Sequence, residues 1–229
     1  MSGTPKPLVQ VIDARKTYVL GHRRIEALRG VTLEMQGGGF VVLQGPSGSG
    51  KTTLLNLVGG IDHPTSGKIL VEGLDIAAWS DDELTRFRAK KLGFIFQNFN
   101  LIPVLSALEN IEYPLLLQHV PRAEAKARAL DMAEAVGLAG MGDQRPGELS
   151  GGQCQRVAIG RALVTCPALV IADEPTANLD AATGRAIIDL MHQMRDRTGT
   201  TFVISTHDPA IAAMAEMRLT LRDGTLVNS

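Results

Sequence analysis

The sequence predicts an α/β protein built on a parallel-sheet core, with an antiparallel β-subdomain at its N-terminus and an α-helical subdomain inserted in its middle. Three observations predict it. Apolar residues near the N-terminus alternate or cluster between turn signals. A fully apolar strand then runs into a Gly-rich loop and a helix. Helical periodicity takes over in the middle of the chain before strand, helix and strand return. At 229 residues the chain is long for one compact domain and short for two. Residues 1–229 are therefore expected to form one domain, with the helical subdomain at 98–163.

The elements follow in order. Residues 8–18 and 25–35 read as strands of the antiparallel sheet, and Gly37–Gly39 as a turn. Phe40–Gln44 is a short apolar strand of the kind buried in a parallel sheet. Lys51–Val58 is a helix, residues 68–72 a strand, Asp81–Lys91 a charged helix and Leu92–Phe96 another apolar strand. From Ser106 to about Leu163 the pattern is helical, with Ala, Leu and Met at three- and four-residue steps in residues 124–136. A strand is expected at 168–172, a helix at 182–195 and a strand at 200–205. A short helix and two strands close the chain.

Charge and composition exclude several roles. Net charge is −1, with no long run of Lys and Arg, so a basic nucleic-acid surface is not expected. The two cysteines, Cys154 and Cys166, lack metal-site spacing and read as reduced, buried or half-buried thiols. No apolar stretch approaches the ~20 residues of a membrane span. The polar stretch Met1–Pro7 holds no apolar signal core. If the chain serves a membrane, another chain must cross it.

Residues Gly45, Pro46, Ser47, Gly48, Ser49, Gly50, Lys51 and Thr52 match GxxxxGK[ST] without a gap, between a buried-type strand and a helix. Glycines let the loop backbone curl so that its N–H groups meet phosphate oxygens, and the helix N-terminus adds positive partial charge. Lys51 supplies a full charge for the β- and γ-phosphates, and the Thr52 hydroxyl can ligate Mg²⁺. A nucleotide and Mg²⁺ are the ligands this loop calls for, with Thr53 counted among the nucleotide-binding residues.

A second apolar strand ends in Asp173-Glu174. Strand ends in a parallel sheet converge on the ligand crevice. Asp173 is placed to hold Mg²⁺ through its water shell, and Glu174 to polarise the attacking water as general base. Taken alone, the pair could be a solvated turn; the upstream phosphate loop argues against that. Leu149-Ser150-Gly151-Gly152-Gln153 then precedes a helix expected at 154–163, which Ser150 can cap, and its glycines allow close approach of an anion.

With that pentapeptide in place the chain resembles the ABC ATPase family, whose signature is LSGGQ. Other elements of the family occur in order across residues 8–227. Gln97 follows a strand as the Q-loop glutamine does. Asn178-Leu179-Asp180 is similar to the D-loop, His207 in Ser205-Thr206-His207-Asp208 resembles the switch histidine, and Tyr18 resembles the aromatic that stacks on adenine. Singly, Gln97, His207 and Tyr18 are ordinary residues and gain meaning only by position. His22, His63, His119 and His192 match no motif and read as solvated.

The resemblance implies a P-loop (RecA-like) core, ATP hydrolysis, and a head-to-tail dimer with a second copy of the chain. Each ATP would lie between the phosphate loop of one copy and Ser150, Gly151, Gly152 and Gln153 of the other. It further implies that His207 contacts the γ-phosphate, that Gln97 links metal and water to the helical subdomain, and that Asp180 communicates across the dimer. The stretches Phe94–Pro103, Leu108–Asn110 and Ala172–Thr176 are similar to the ATPase subunits of lipoprotein-releasing and macrolide-export systems. That group implies a separate transmembrane permease, room for a periplasmic adaptor, a position on the cytoplasmic face of the bacterial inner membrane, and lipoproteins, peptides or amphipathic drugs as substrates. The alternative is a non-transport membrane partner in cell division or cell-wall hydrolase activation. Residues 99–105, after Gln97, lie where the family receives the membrane subunit. Three residues depart from the group's pattern: Cys154 in place of Gln, Gly160 in place of Ala, and Ala177 in place of Gly.

Overall fold

The structure, a computed structural model, describes residues 6–227. The beginning of the polar N-terminal stretch, residues 1–5, lies outside the described residues. The fold is α/β, and the chain divides into two compact units: the described residues of Met1–Arg88 with Val203–Ser229, and Ala89–Phe202.

In the first unit, β1 (Val9–Leu20) and β2 (Arg23–Met35) form an antiparallel hairpin. Strand β4 (Ser66–Val71) pairs with the other edge of β1, and β5 (Leu74–Asp75) with β4, giving the order β2-β1-β4-β5. The inward alternation Val9, Val11 in β1 slips by one at Ala14. A bulge at that point, with Asp13 at φ 44°, is the cause: the extra residue resets which face points inward. Strand β3 (Phe40–Gln44) is buried through Leu43 and runs parallel to β9 (Met217–Arg222), which pairs antiparallel with β10 (Thr225–Val227). Burial on both faces explains why β3 is an unbroken apolar run. Helix α1 (Lys51–Val58) follows β3 and buries Leu54, Leu55, Leu57 and Val58.

Helix α2 (Asp81–Lys91) and strand β8 (Thr201–Thr206) carry the chain across the division. In the second unit, β6 (Leu92–Phe96) and β7 (Leu169–Asp173) are parallel, as their apolar sequences require. Between them come α3 (Ala107–Leu117), α4 (Arg122–Ala135), a single 3₁₀ turn at Pro146–Glu148 and α5 (Gly151–Leu163); α6 (Ala181–Thr198) follows β7. Helix α4 buries only alanines, Ala125, Ala129 and Ala133, at four-residue steps. Gly160, the departure from the usual Ala, sits where α5 meets α3 and α4. A Cβ there would stand 3.0 Å from Ile111 Cδ1 and 3.5 Å from Met132 Cγ. The helix-propensity cost of ~1 kcal/mol is thus set against room for these two side chains.

Several boundaries differ from expectation. Helix α5 starts at Gly151 rather than Cys154, taking in two glycines that read as loop. Ser150 and Gln153 form a reciprocal capping box, which offsets the glycines' poor propensity. Helix α6 extends to Thr198, where Gly199 at φ 71° stops it. Strand β1 continues past Tyr18 through exposed Val19 and Leu20. Of the two free cysteines, Cys154 is buried as expected, but Cys166 is exposed, in a left-handed turn at φ 53°. His63 is not simply solvated: its Nδ1 lies 3.2 Å from Ala77 O, and its Nε2 3.6 Å from Asp81.

Candidate functional site

The phosphate loop spans β3 and α1 in the first unit, and its shape comes from glycines. Gly45, Gly48 and Gly50 all have positive φ, at 153°, 78° and 104°. Positive-φ glycines of this kind let a loop curl so that its N–H groups can face an anion. Gly45 has a further reason to be glycine, because a Cβ there would stand 2.1 Å from Leu221 O. Gly45→Ala is expected to destabilise the protein by about 2–4 kcal/mol, read as a loss of thermal stability with or without nucleotide. An unchanged melting temperature would contradict this geometry.

Lys51 is nearly buried at the first position of α1, and its Nζ donates to Gly45 O at 2.8 Å and Pro46 O at 3.1 Å. An ammonium has three donors, so one is left for a ligand in the loop. The lysine is thereby drawn across the loop rather than out to solvent. Thr52 is exposed beside it, and Thr53 donates its hydroxyl hydrogen bond to Tyr18. Tyr18 is half-buried on β1; burial and its bond to Asp62 hold its phenol above the ordinary tyrosine range. His207 is exposed in the turn after β8. Asp208 N donates to Thr206 Oγ1 at 3.0 Å, and the Asp208 carboxylate caps the short α7 (Pro209–Ala212) through Ala210 N at 2.8 Å.

The second unit brings three predicted segments together. Ser150 caps α5 by accepting from Gln153 N, while Ser150 N donates to Gln153 Oε1 at 2.7 Å. A hydroxyl accepting at its oxygen still has its proton to donate, and it stands at the positive end of a thirteen-residue helix. A Cβ on Gly151 would meet Leu179 Cδ2 at 3.2 Å, and one on Gly152 would meet Thr183 Cγ2 at 2.7 Å. The signature glycines therefore lie directly on the segment containing Asp180.

Asn178 reaches the Q-loop. Its Nδ2 donates to Gln97 O at 3.0 Å and to Asn98 Oδ1 at 2.9 Å. Arg161 of α5 holds the next residues, donating to Phe99 O at 2.8 Å and Asn100 O at 2.6 Å. Both Phe99 and Asn100 are left-handed, at φ 60° and 47°, so those carbonyl bonds hold a loop that strain would otherwise open. Asn110, fully buried on α3, closes the far end by accepting from Ile102 N and donating to Ile102 O, Leu105 O and Ser106 O.

Asp173 ends β7, and Glu174 follows it at φ 48°. A non-glycine residue in that region costs about 1–3 kcal/mol, and such strain clusters at functional sites. Asp180 is the N-cap of α6. Its Oδ1 accepts from Ala182 N and Thr183 N, and its Oδ2 from Thr183 Oγ1 at 2.6 Å. The hydrogen bond from Thr183 holds this carboxyl below its ordinary range. The cap therefore adds stability that is present above the unfolded pKa of about 3.9 and is lost as pH falls through the lower folded value. Asp180→Ala should lower the melting temperature at neutral pH and narrow its gap to the parent on acidification. A constant gap down to pH 2 would contradict that role.

Sequence pattern alone does not mark Asn178 as the partner of Gln97 O, Arg161 as the brace of residues 99–100, or Lys16 and Asp62 as neighbours of Tyr18. One arginine in the apolar run of α5 was a visible signal; the others had none.

Two folded units carrying a lysine-bridged phosphate loop, a carboxylate pair at a strand end and a serine-capped Gly-Gly helix define an ATP-hydrolysing cassette. The family model described as ABC transporter matches residues 28–177, and the chain belongs to that family. It is 44% identical over 96% of its length to an uncharacterized ABC transporter ATP-binding protein of Thermotoga maritima, covering 94% of that relative. It is 42% identical to the lipoprotein-releasing system ATP-binding protein LolD of Syntrophus aciditrophicus, covering 96% of this chain and 99% of the relative. It is 43% identical to the macrolide export ATP-binding/permease protein MacB of Syntrophobacter fumaroxidans, over 96% of this chain but 31% of that longer protein. Among solved structures, the dimeric post-hydrolysis state of the cassette MJ0796 with ADP and Pi matches with a TM-score of 0.88 at 42% identity, covering 96% of this chain and 97% of that one. The chain is an ATP-binding, ATP-hydrolysing subunit of an ABC transporter.

Proposed function

We propose that two copies of this chain close head to tail on two ATP molecules and so drive a separate transmembrane permease. The observation that carries the reading is Ser150, whose capped hydroxyl stands exposed beside two glycines at a helix N-terminus. A site of that kind binds an anion, and the chain's own phosphate loop supplies all that one nucleotide needs on its own side. The solved relative, a dimer bound to ADP and Pi, supports the pairing.

Within this reading Gly45–Thr53 cradle the triphosphate and Tyr18 stacks on the base. Glu174 takes the proton of the attacking water, and His207 steadies the γ-phosphate. Mg²⁺ would be held by Thr52, Asp173 and Gln97. Among the described residues no three His, Cys, Asp or Glu side chains cluster as a metal cage. A sparse set of neutral and anionic oxygens suits Mg²⁺, which keeps most of its waters and completes its shell on phosphate oxygens. When bound, the ion neutralises charge developing on those oxygens. Asp180 relays the state of one copy to the other. The helical subdomain at 98–163 carries the signature.

No helix among the described residues is long and apolar enough to cross a membrane. In MacB, by its name, ATP-binding and permease functions share one chain, and this chain spans its 31%. In the reading proposed here the permease is a separate protein, and the cassette works on the cytoplasmic face of the bacterial inner membrane. Its docking place is a cavity of about 260 Å³ in the second unit, where Asn100 of the stretch 99–105 meets Phe94 and Phe96 of β6, Pro114 and Leu117 of α3, and Arg161 of α5. The occupant is a short helix of the permease. Relatives named for lipoprotein release and macrolide export favour lipoproteins, peptides or amphipathic drugs as substrates, with a periplasmic adaptor in the assembly. A cell-division or cell-wall partner would use the same ATPase residues.

Leu117 is 61% exposed, so Leu117→Arg should fold normally. The substitution is expected to release the chain from the membrane fraction of cells while leaving Mg²⁺–ATP affinity intact. Retention on membranes at the parent level would contradict the docking site.

A further inference from the structure

We propose that Lys16 and Asp62 are positioning residues for the nucleobase: they hold the Tyr18 ring as a fixed platform, so nucleotide affinity depends on them through the base and not through the phosphates. The proposal rests on the reading that Tyr18 stacks on the base, and the experiment below separates the two.

Lys16 and Tyr18 lie two residues apart on β1, and the lysine side chain reaches over the tyrosine ring. The Lys16 ammonium is 2.5 Å from Asp62 Oδ1, 2.7 Å from His63 O and 4.9 Å from the centre of the Tyr18 ring. Two of its three donors go to oxygens, and the charge lies over the aromatic face. A cation on one face denies that face to a base, so stacking is confined to the other.

The ring's rotation is fixed independently. Tyr18 OH donates to Asp62 Oδ2 at 2.9 Å and accepts from the hydroxyl of Thr53 on α1. Asp62 is held in turn, since His63 N donates to its Oδ1 at 2.7 Å. Burial pushes the Asp62 carboxyl up, but the bonds from Lys16 and Tyr18 outweigh it and the net shift is downward, so the group stays an anion and an acceptor. One chain of hydrogen bonds thus runs from Lys16 through Asp62 and Tyr18 to Thr53, the residue after the phosphate-loop threonine. It ties the aromatic ring to the helix that presents the phosphate loop. The distance from base platform to phosphate loop is set by this chain, where a lone tyrosine on an exposed hairpin would swing.

The test measures Mg²⁺–ATP and Mg²⁺–tripolyphosphate affinities of the full chain by titration calorimetry, for the parent and for Tyr18→Ala, Asp62→Asn and Lys16→Met. Tyr18→Ala should weaken ATP binding by about 10-fold, the scale of one base–aromatic stack, and leave tripolyphosphate unaffected. Asp62→Asn and Lys16→Met should each weaken ATP by about 3–10-fold with tripolyphosphate within about twofold of the parent. Tyr18→Phe keeps the ring but not the hydroxyl; it should fold if the others do not, and should lose about threefold for ATP alone. If Tyr18→Ala weakens ATP while Asp62→Asn, Lys16→Met and Tyr18→Phe do not, the positioning role is wrong and the platform stands. If both ligands weaken in parallel, the network is only structural and the proposal fails. If Tyr18→Ala changes nothing, the platform reading fails and this proposal with it.

Discussion

Glu174→Gln is expected to bind Mg²⁺–ATP with near-parental affinity while phosphate release falls by about 10²–10⁴-fold, the usual worth of a general base. The substitution keeps the shape of the side chain. It also keeps a backbone that sits at φ 48° and is tied down by Ala177 N donating to Glu174 O at 3.2 Å. Only the ability to take a proton is removed. ATP then stays intact, and a dimer glued by two triphosphates should persist. Gel filtration of the variant with Mg²⁺–ATP should show a dimer, and the same variant with ADP a monomer. A monomer under verified ATP saturation would contradict the model, as would turnover within tenfold of the parent.

Ser150→Arg should have an equally large effect by another route. The new side chain replaces a small cap with a bulky cation at an exposed helix N-terminus, where its charge opposes the helix dipole. Loss of the cap costs about 1 kcal/mol. Helix α5 survives that because Val157, Ala158 and Ile159 are fully buried beneath it. The phosphate loop is untouched, so a single copy should bind ATP as before. Hydrolysis should be abolished, because the anion site offered to the second copy is filled. Parental turnover in this variant would remove the shared site from the account.

Much of this was legible in the sequence. The strand Phe40–Gln44, the helix Lys51–Val58 and the strand Leu92–Phe96 have the bounds their patterns implied, because apolar runs flanked by Gly, Lys or Gln leave little choice. The phosphate loop stands out as a candidate site in the sequence for a related reason: it is contiguous, and its chemistry is local. Helix α5 was misjudged by three residues because two glycines read as loop, when a reciprocal cap at Ser150 outweighs their propensity. The supporting shell was illegible for a different reason. Lys16 and Asp62 are 46 residues apart, and Asn178 and Gln97 are 81 apart. Bonds from a side chain to a distant backbone carbonyl, as at Arg161, follow no periodicity. Nothing in a single sequence marks their partners before the fold brings them together.

Turnover per mole of chain, measured across protein concentrations from well below to well above the ATP-dependent dimerisation constant, tests the central claim most directly. Two copies sharing each nucleotide require specific activity to rise with concentration, roughly in proportion to it at the dilute end, and to level off once dimers dominate. Specific activity that stays flat down to concentrations where only single copies exist would contradict it.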